Sequence, residues 1–421
     1  ASVLVITIMS RGVGFITNYF LAKILTTDSY GLYTFALTWS GLLLIPAALG
    51  LDRLLIRNIS SYKTNGEWGL LRGLLHFTTI VSTIIALILI PIVLVILQQS
   101  NIYDDITLIT VLIGLMMVPF NAITMIRESA LQGLKKITWG VLPNLLLKPI
   151  LFLIFFLLLA LISTISISPI LVILTRFGAV FLTFMLAFLL LRRALPIDVS
   201  KAVPRYEIRS WMITATPMFL VTLMNYINAR SGILILGSFS NNSDIALLNV
   251  ALLLTSLVKI VMSAFLMPLA PTISSLFAEG KLNVIEKVSI KSTLTAFVIA
   301  LPIGVILVVF GRDILNIFGT QYQSAYIALV ILIVDAFVNI IFGPVGTILM
   351  MTGYERNTMI GNMFGAVTTI GGSLLLIPVY GMLGVAIAML LSTIVWNVSL
   401  LIFVISKLKI NPTLINVSKV L

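Results

Sequence analysis

The chain contains no cysteine, a single histidine (His76), and only 10% charged residues among its 421. Without cysteine there can be no disulfide, no thiolate metal site and no cysteine nucleophile. One histidine at the start of an apolar run, with acids scattered elsewhere, supplies no ligand set, so neither metal nor cofactor is expected. No G-x-x-x-x-G-K-[ST] run occurs, which excludes ATP hydrolysis through a P-loop. The acids are too dispersed for the metal–diphosphate clusters of a membrane transferase, so the reading is a protein that is not an enzyme. Soluble domains carry about a quarter charged residues, far more than this chain.

Apolar character is what the sequence has instead: 60% hydrophobic residues and a mean hydropathy of +1.18. The apolar runs are about 20 residues long, the length at which a helix crosses a hydrocarbon core of roughly 30 Å. Short segments of alternating polarity, the mark of membrane β-strands, are missing. The expected fold is an all-α polytopic membrane protein with twelve transmembrane helices, near 3–25, 30–50, 74–97, 106–126, 138–160, 167–190, 211–236, 245–268, 292–310, 325–350, 357–377 and 382–405. The chain opens on Ala1 directly in an apolar run, which reads as a short missing start rather than a separate signal peptide.

Loop charge alternates along this pattern. Arg53, Arg57, Lys63, Arg72, Arg127, Lys135, Lys136, Arg192, Arg193, Lys201, Arg205, Arg209, Lys281, Lys287, Lys291, Arg356, Lys407, Lys409 and Lys419 fall on one side, while the other carries Lys23 and Arg312 with five aspartates. The positive-inside rule then puts both termini in the cytoplasm of a multi-pass protein of the cell (plasma or inner) membrane. The net charge of +12 thereby records topology and calls for no nucleic-acid partner.

Five basic residues remain inside the spans, Arg11, Lys148, Arg176, Arg230 and Lys259, against one embedded acid, Asp335. Each such charge costs about 2.5–3.5 kcal/mol at a helix centre, on the order of 15–20 kcal/mol together. One aspartate cannot offset that, so a water-filled cavity with a basic wall facing an anion is the economical solution. Snorkelling is the plainer alternative for Arg11 and Arg230, and pairing with Asp335 for Arg176; Lys148 and Lys259 sit near mid-span, where snorkelling is longest, so cavity or pairing is favoured for them. Asp335 is read as an ion-pair or coupling residue. Arg230, Lys259, Arg11 and Arg53 are expected to form a cationic site for a diphosphate, because arginine's planar fork donates two hydrogen bonds to phosphate oxygens.

The sequence also repeats itself. Thr17–Lys23 reads TNYFLAK and Met224–Arg230 reads MNYINAR; Leu131–Thr138 reads LQGLKKIT and Met351–Thr358 reads MTGYERNT. Their shared order implies a six-plus-six duplication: two six-helix lobes related by a pseudo-two-fold along the membrane normal, since six spans return the chain to the same side. The expected division is 1–191 for the first lobe, 192–210 for a cytoplasmic linker and 211–421 for the second lobe with its tail. Lys23 and Arg230 become equivalent positions, and Asn18, Asn225 and Asn228 on the same helices are candidates for sugar hydroxyls, water or interhelical bonds. Gly343–Gly346 (GPVG) is a candidate hinge, and Gly361 and Gly365 form a small-xxx-small contact. Residues 52–72 and 272–291 read as interfacial helices. Prolines fall in or at the ends of many spans, Pro46, Pro217 and Pro268 among them.

Ser10-Arg11 with Gly14-Phe15, Tyr30-Gly31-x-Tyr33, Gly50-Leu51 followed by basic residues, and LQGLKK after the fourth span together carry a resemblance. The chain resembles the polysaccharide-specific transporter family, the O-antigen and capsule flippases of the multidrug/oligosaccharidyl-lipid/polysaccharide exporter superfamily. That resemblance implies movement of undecaprenyl-diphosphate-linked oligosaccharide from the inner to the outer leaflet by alternating access. Its implied partners are the lipid-linked oligosaccharide, membrane lipids, and polysaccharide polymerase and export components. The alternatives are a lipid II flippase, whose longer members carry two further helices, then a cation-coupled drug exporter, disfavoured by the lack of a mid-membrane acid in the first lobe, then a non-transport scaffold for polysaccharide assembly.

Overall fold

A computed structural model describes residues 2–100, 102–162 and 167–419, leaving Ala1 outside, and describes no side chains for 2–4, 266–268 and 417–419, among them Pro268 and Lys419. The described residues form helices and connecting turns, with no strand among them. Two compact units result, Ala1–Leu223 and Met224–Leu421.

The first unit contains α1 (Ser2–Ile24), α2 (Thr27–Ala48), α3 (Leu51–Asn65), α4 (Trp68–Gln99), α5 (Asp105–Gly133), α6 (Ile137–Leu142), α7 (Lys148–Ile162), α8 (Pro169–Ala194) and α9 (Ile197–Lys201). The start of α10 (Ile208–Phe239) clusters with this unit and the remainder with the second. The second unit continues through α11 (Asn242–Ala278), α12 (Leu282–Val309), α13 (Gly311–Phe318), α14 (Tyr326–Phe342), α15 (Val345–Met351), α16 (Glu355–Tyr380) and α17 (Met382–Leu408). Twelve helical stretches are long and apolar enough to cross a membrane, at the positions expected from the apolar runs.

Helix α5 is the hub of the first unit, packed against α2, α4, α3 and α8. In the second unit α17 packs along α16 and α14, and α11 along α12 and α14. Gly361 on α16 faces Leu400 of α17 so closely that a methyl group there would stand 2.5 Å from its Cδ2. The small-residue pattern therefore serves packing within the second unit.

The two expected interfacial helices differ. Leu49 and Gly50, both left-handed, end α2, and α3 then starts as a separate amphipathic helix burying Leu51, Leu54, Leu55, Ile59 and Tyr62 on one face. The second, 272–291, is not a separate helix. Residues to Ala278 continue α11 without interruption, and those from Leu282 begin α12. The first glycine after position 237 is Gly280, so no permissive residue breaks the helix earlier. The tenth span is interrupted where the GPVG motif lies: α14 ends at Phe342, Gly343 takes φ +69°, and α15 resumes after Pro344.

The segment after α8 is stapled to the first unit. Arg72 donates from Nη1 to the carbonyls of Ser200 (2.6 Å) and Ala202 (2.8 Å), and the Arg205 amide donates to the Gly69 carbonyl (2.9 Å). A Cβ on Gly73 would sit 1.8 Å from the Arg205 carbonyl oxygen, so the segment lies in a slot that only glycine leaves open. Trp211, fully buried, donates from Nε1 to the Tyr62 hydroxyl at 2.9 Å and tilts against Phe77 at 5.5 Å. Burial lifts the Tyr62 hydroxyl above its ordinary value, opposed by the hydrogen bond from Trp211.

Candidate functional site

Four of the six embedded charges fall into two groups, one in each unit: Lys259 with Asp335, and Lys148 with Arg176. In the second unit, Lys259 of α11 donates from Nζ to Asp335 Oδ2 of α14 at 2.7 Å. Asp335 is 2% exposed, whereas the Lys259 side chain is 39% exposed. The Thr393 hydroxyl donates to the other carboxylate oxygen, and Asn397 donates to Asn339 Oδ1 at 3.1 Å one turn away. Asp335 therefore has its charge partner in Lys259, not in Arg176.

A polar seam joins α10 to α16 in the same unit. Asn228 Nδ2 donates to the Asn362 carbonyl (3.2 Å), and Asn362 Nδ2 donates to Asn225 Oδ1 (3.3 Å). These asparagines hold helices together. Arg230, half-buried on α10, has neither hydrogen bond nor ion pair among the described residues.

In the first unit α5 and α7 bring together groups the apolar pattern separated. A π-helical turn, Pro143–Leu147, interrupts the fifth span and delivers Lys148 as the first residue of α7. Such turns are rare and frequently mark functional positions. Lys148 Nζ donates to Asn121 Oδ1 of α5 at 3.3 Å and stands within electrostatic range of Arg176 and Glu128. Arg176 of α8 lies over the Phe152 ring at 4.7 Å, and Phe152 stacks on Tyr33 at 5.8 Å. Glu128, 6% exposed, is the acid that sequence reasoning missed. The fourth span was expected to end at 126, but α5 runs to Gly133 and draws Glu128 inside it. The expected span left Glu128 in the following loop, whereas the structure places it inside α5, near the helix's C-terminal end. The available signal was the seven-residue interval from Asn121 to Glu128, about two helical turns, which places both on one face.

The remaining candidates are spread out. Arg11 is exposed on α1 and Lys23 exposed in its last turn. Asn18 donates to the Gly14 carbonyl and accepts from the Tyr30 hydroxyl, both at 2.7 Å, so the two NY repeats make different contacts. Arg53 is exposed on α3 beside Asp52, whose carboxyl is pushed up by burial and drawn down by Arg53. Arg127, expected in a loop, lies within α5. It donates to the Phe184 carbonyl at 3.2 Å with its guanidinium over the Phe184 and Phe188 rings. Among the described residues no three His, Cys, Asp or Glu side chains gather as a metal cluster.

Twelve helical stretches long and apolar enough to cross a membrane, several of them carrying cations, make a multi-pass membrane protein, and solved structures carry the same fold. The chain superposes with a TM-score of 0.79 on an inward-facing multidrug resistance MATE family transporter of the MOP superfamily, at 14% identity over 95% of this chain and 94% of that one. It superposes at 0.73 on the lipid II flippase MurJ in an inward closed conformation, at 16% identity over 95% and 86%. A third neighbour, a MOP superfamily transporter from Pyrococcus furiosus described as having a binding pocket of reverse polarity, gives 0.66 at 13% identity over 97% and 95%. Residues 1–277 match the family described as polysaccharide biosynthesis protein, and the chain belongs to that family. A probable flippase, AglR of Haloferax volcanii, is 30% identical over 166 residues, 38% of this chain; the match spans about a third (34%) of that relative's length.

Proposed function

We propose that this protein flips undecaprenyl-diphosphate-linked oligosaccharide from the inner to the outer leaflet of the cell membrane by alternating access, with both termini in the cytoplasm. The observation that carries the reading is an imbalance. Lys259 is satisfied by Asp335, but Arg11, Arg176 and Arg230 lie on membrane-spanning helices with no ion-pair partner among the described residues. Cations kept without partners at a cost of about 2.5–3.5 kcal/mol each call for an anion supplied from outside, and a lipid diphosphate has the charge and the planar oxygen pairs that arginine binds.

In this reading Arg230, Arg11 and Arg53 contact the diphosphate, Lys148 and Arg176 extend the cationic wall, and Lys23 occupies the position equivalent to Arg230. Lys259 holds Asp335 in register within the second unit. The glycan is held loosely in a wet cleft, and lipid-linked substrate, membrane lipids and the assembly machinery for the polysaccharide are the partners.

Reconstitution into liposomes with a fluorescent lipid-linked sugar tests this. Arg230→Ala should abolish flipping while leaving expression intact, and Arg230→Lys should retain part of the rate. Flipping by Arg230→Ala at the wild-type rate would remove Arg230 from the site. A second reading, cation-coupled export of a small molecule, is favoured by one observation, the buried Glu128 in the first unit. Gradient-driven efflux of a drug without lipid flipping would establish it instead. Because the chain has no cysteine, single-cysteine variants at the loops report topology without background.

A further inference from the structure

The Lys148 group differs from the Lys259 pair in a way that points to exchange. Lys259 and Asp335 close to 2.7 Å. Glu128 and Lys148 interact electrostatically, yet they are not among the pairs that approach within 4.0 Å. Glu128 is buried with its Oε1 lacking a hydrogen-bond partner, and Asn144 of the π-helical turn lies against its carboxylate. Lys148 commits one donor, to Asn121, and Arg176 has its face fixed by Phe152 while its N–H edge meets no acceptor among the described residues.

Two cations held within electrostatic range repel each other, and one of them, Lys148, also lies within range of a buried carboxylate on which it does not close. A buried charge with an unsatisfied oxygen is costly, so a site kept for stability alone would close the pair, as α11 and α14 do. An open pair beside a second cation suits a site whose counter-ion changes.

We infer that Lys148 and Arg176 form a phosphate subsite for which Glu128 is a tethered competitor, neutralising Lys148 in the empty protein and yielding it to a phosphate oxygen of the bound lipid. The inference rests on the flippase reading for the class of ligand. Its physical content is separate: Glu128 weakens phosphate binding, and by doing so keeps the loaded site from becoming a trap. No covalent step is involved. Phosphate oxygens take the Lys148 ammonium and the Arg176 edge, and the carboxylate turns to Asn144.

The test is calorimetric binding of farnesyl diphosphate and of inorganic pyrophosphate to the purified full chain in detergent. Glu128→Gln should bind farnesyl diphosphate about tenfold tighter, a gain of about 1.4 kcal/mol, and should flip lipid-linked sugar more slowly because release is slower. Lys148→Met should weaken binding, and adding Glu128→Gln to it should restore nothing. Glu128→Ala repeats the loss of charge with a different packing consequence, so a folding defect in one variant does not decide the outcome. If pyrophosphate shows the same tightening, the subsite reads phosphate itself; if only the farnesyl compound does, it reads a lipid diphosphate, and either supports the competitor role. Unchanged or weaker binding by both Glu128 variants, with Arg230→Ala still weakening it, would overturn the inference and leave the flippase reading standing. Failure of the wild-type protein to bind either probe would overturn both.

Discussion

Lys259→Ala should destabilise the protein far more than Asp335→Ala, although the two changes break the same ion pair. The asymmetry follows from exposure: the aspartate side chain is 2% exposed and the lysine side chain 39%. Removing Lys259 strands a buried carboxylate with the Thr393 hydroxyl as its remaining hydrogen-bond partner among the described residues, and orphaning a buried charge costs about 3–5 kcal/mol. If Lys259 faces the wet cavity of the proposed function, removing Asp335 leaves an ammonium that can turn toward water, and a pair whose survivor is solvated is worth about 1 kcal/mol or less. The expected difference is therefore about 2–4 kcal/mol. The double variant Lys259→Ala/Asp335→Ala should be more stable than Lys259→Ala alone, because no charge is left unpaired. Thermal unfolding of the four proteins in one detergent measures the order. If Asp335→Ala were the more damaging single change, or if the double variant lost the sum of both, the reasoning from burial would be wrong.

Two further changes probe the first unit. Gly73→Ala places a methyl group 1.8 Å from the Arg205 carbonyl oxygen, so the segment across α4 must lift off and surrender the Arg72 and Arg205 hydrogen bonds. At roughly 1 kcal/mol for the neutral bond and 1.5–3 kcal/mol for each one from the guanidinium, the loss should appear as faster amide hydrogen exchange over 199–206, and unchanged exchange there would refute the slot. Tyr62→Phe strips the acceptor from the buried Trp211 indole and should cost about 1–3 kcal/mol, read as a lower melting temperature with altered tryptophan fluorescence.

How much could be read before folding depended on the range of the interaction. Membrane helices announce themselves because each span must satisfy its own backbone and present about 20 apolar residues to lipid. Hence twelve spans, the break at Gly343 and the amphipathic α3 were all legible from local pattern. The family likeness was equally local, resting on short motifs such as Ser10-Arg11 and LQGLKK. Where an expectation failed, two local signals competed. The charged run from Lys281 to Lys291 looked like a separate surface helix, but polar residues at the ends of long helices fit the interface as well, and no glycine forced a stop before Gly280.

Side-chain partners were another matter, because they depend on which helices become neighbours. The sequence by itself determined that several cations lie at membrane depth and that acids are too few to match them. Only the tertiary structure decided that Asp335 takes Lys259 and not Arg176, since α11 and α14 pack together within one unit. It likewise decided that Asn225 and Asn228 bind Asn362. Glu128 shows the reason most plainly. As a letter it stood just past the expected span; the longer α5 buries it, within electrostatic range of a lysine twenty residues away in sequence. Hydrophobic length is a property of one segment, whereas the fate of a buried charge is set by the segment that packs against it.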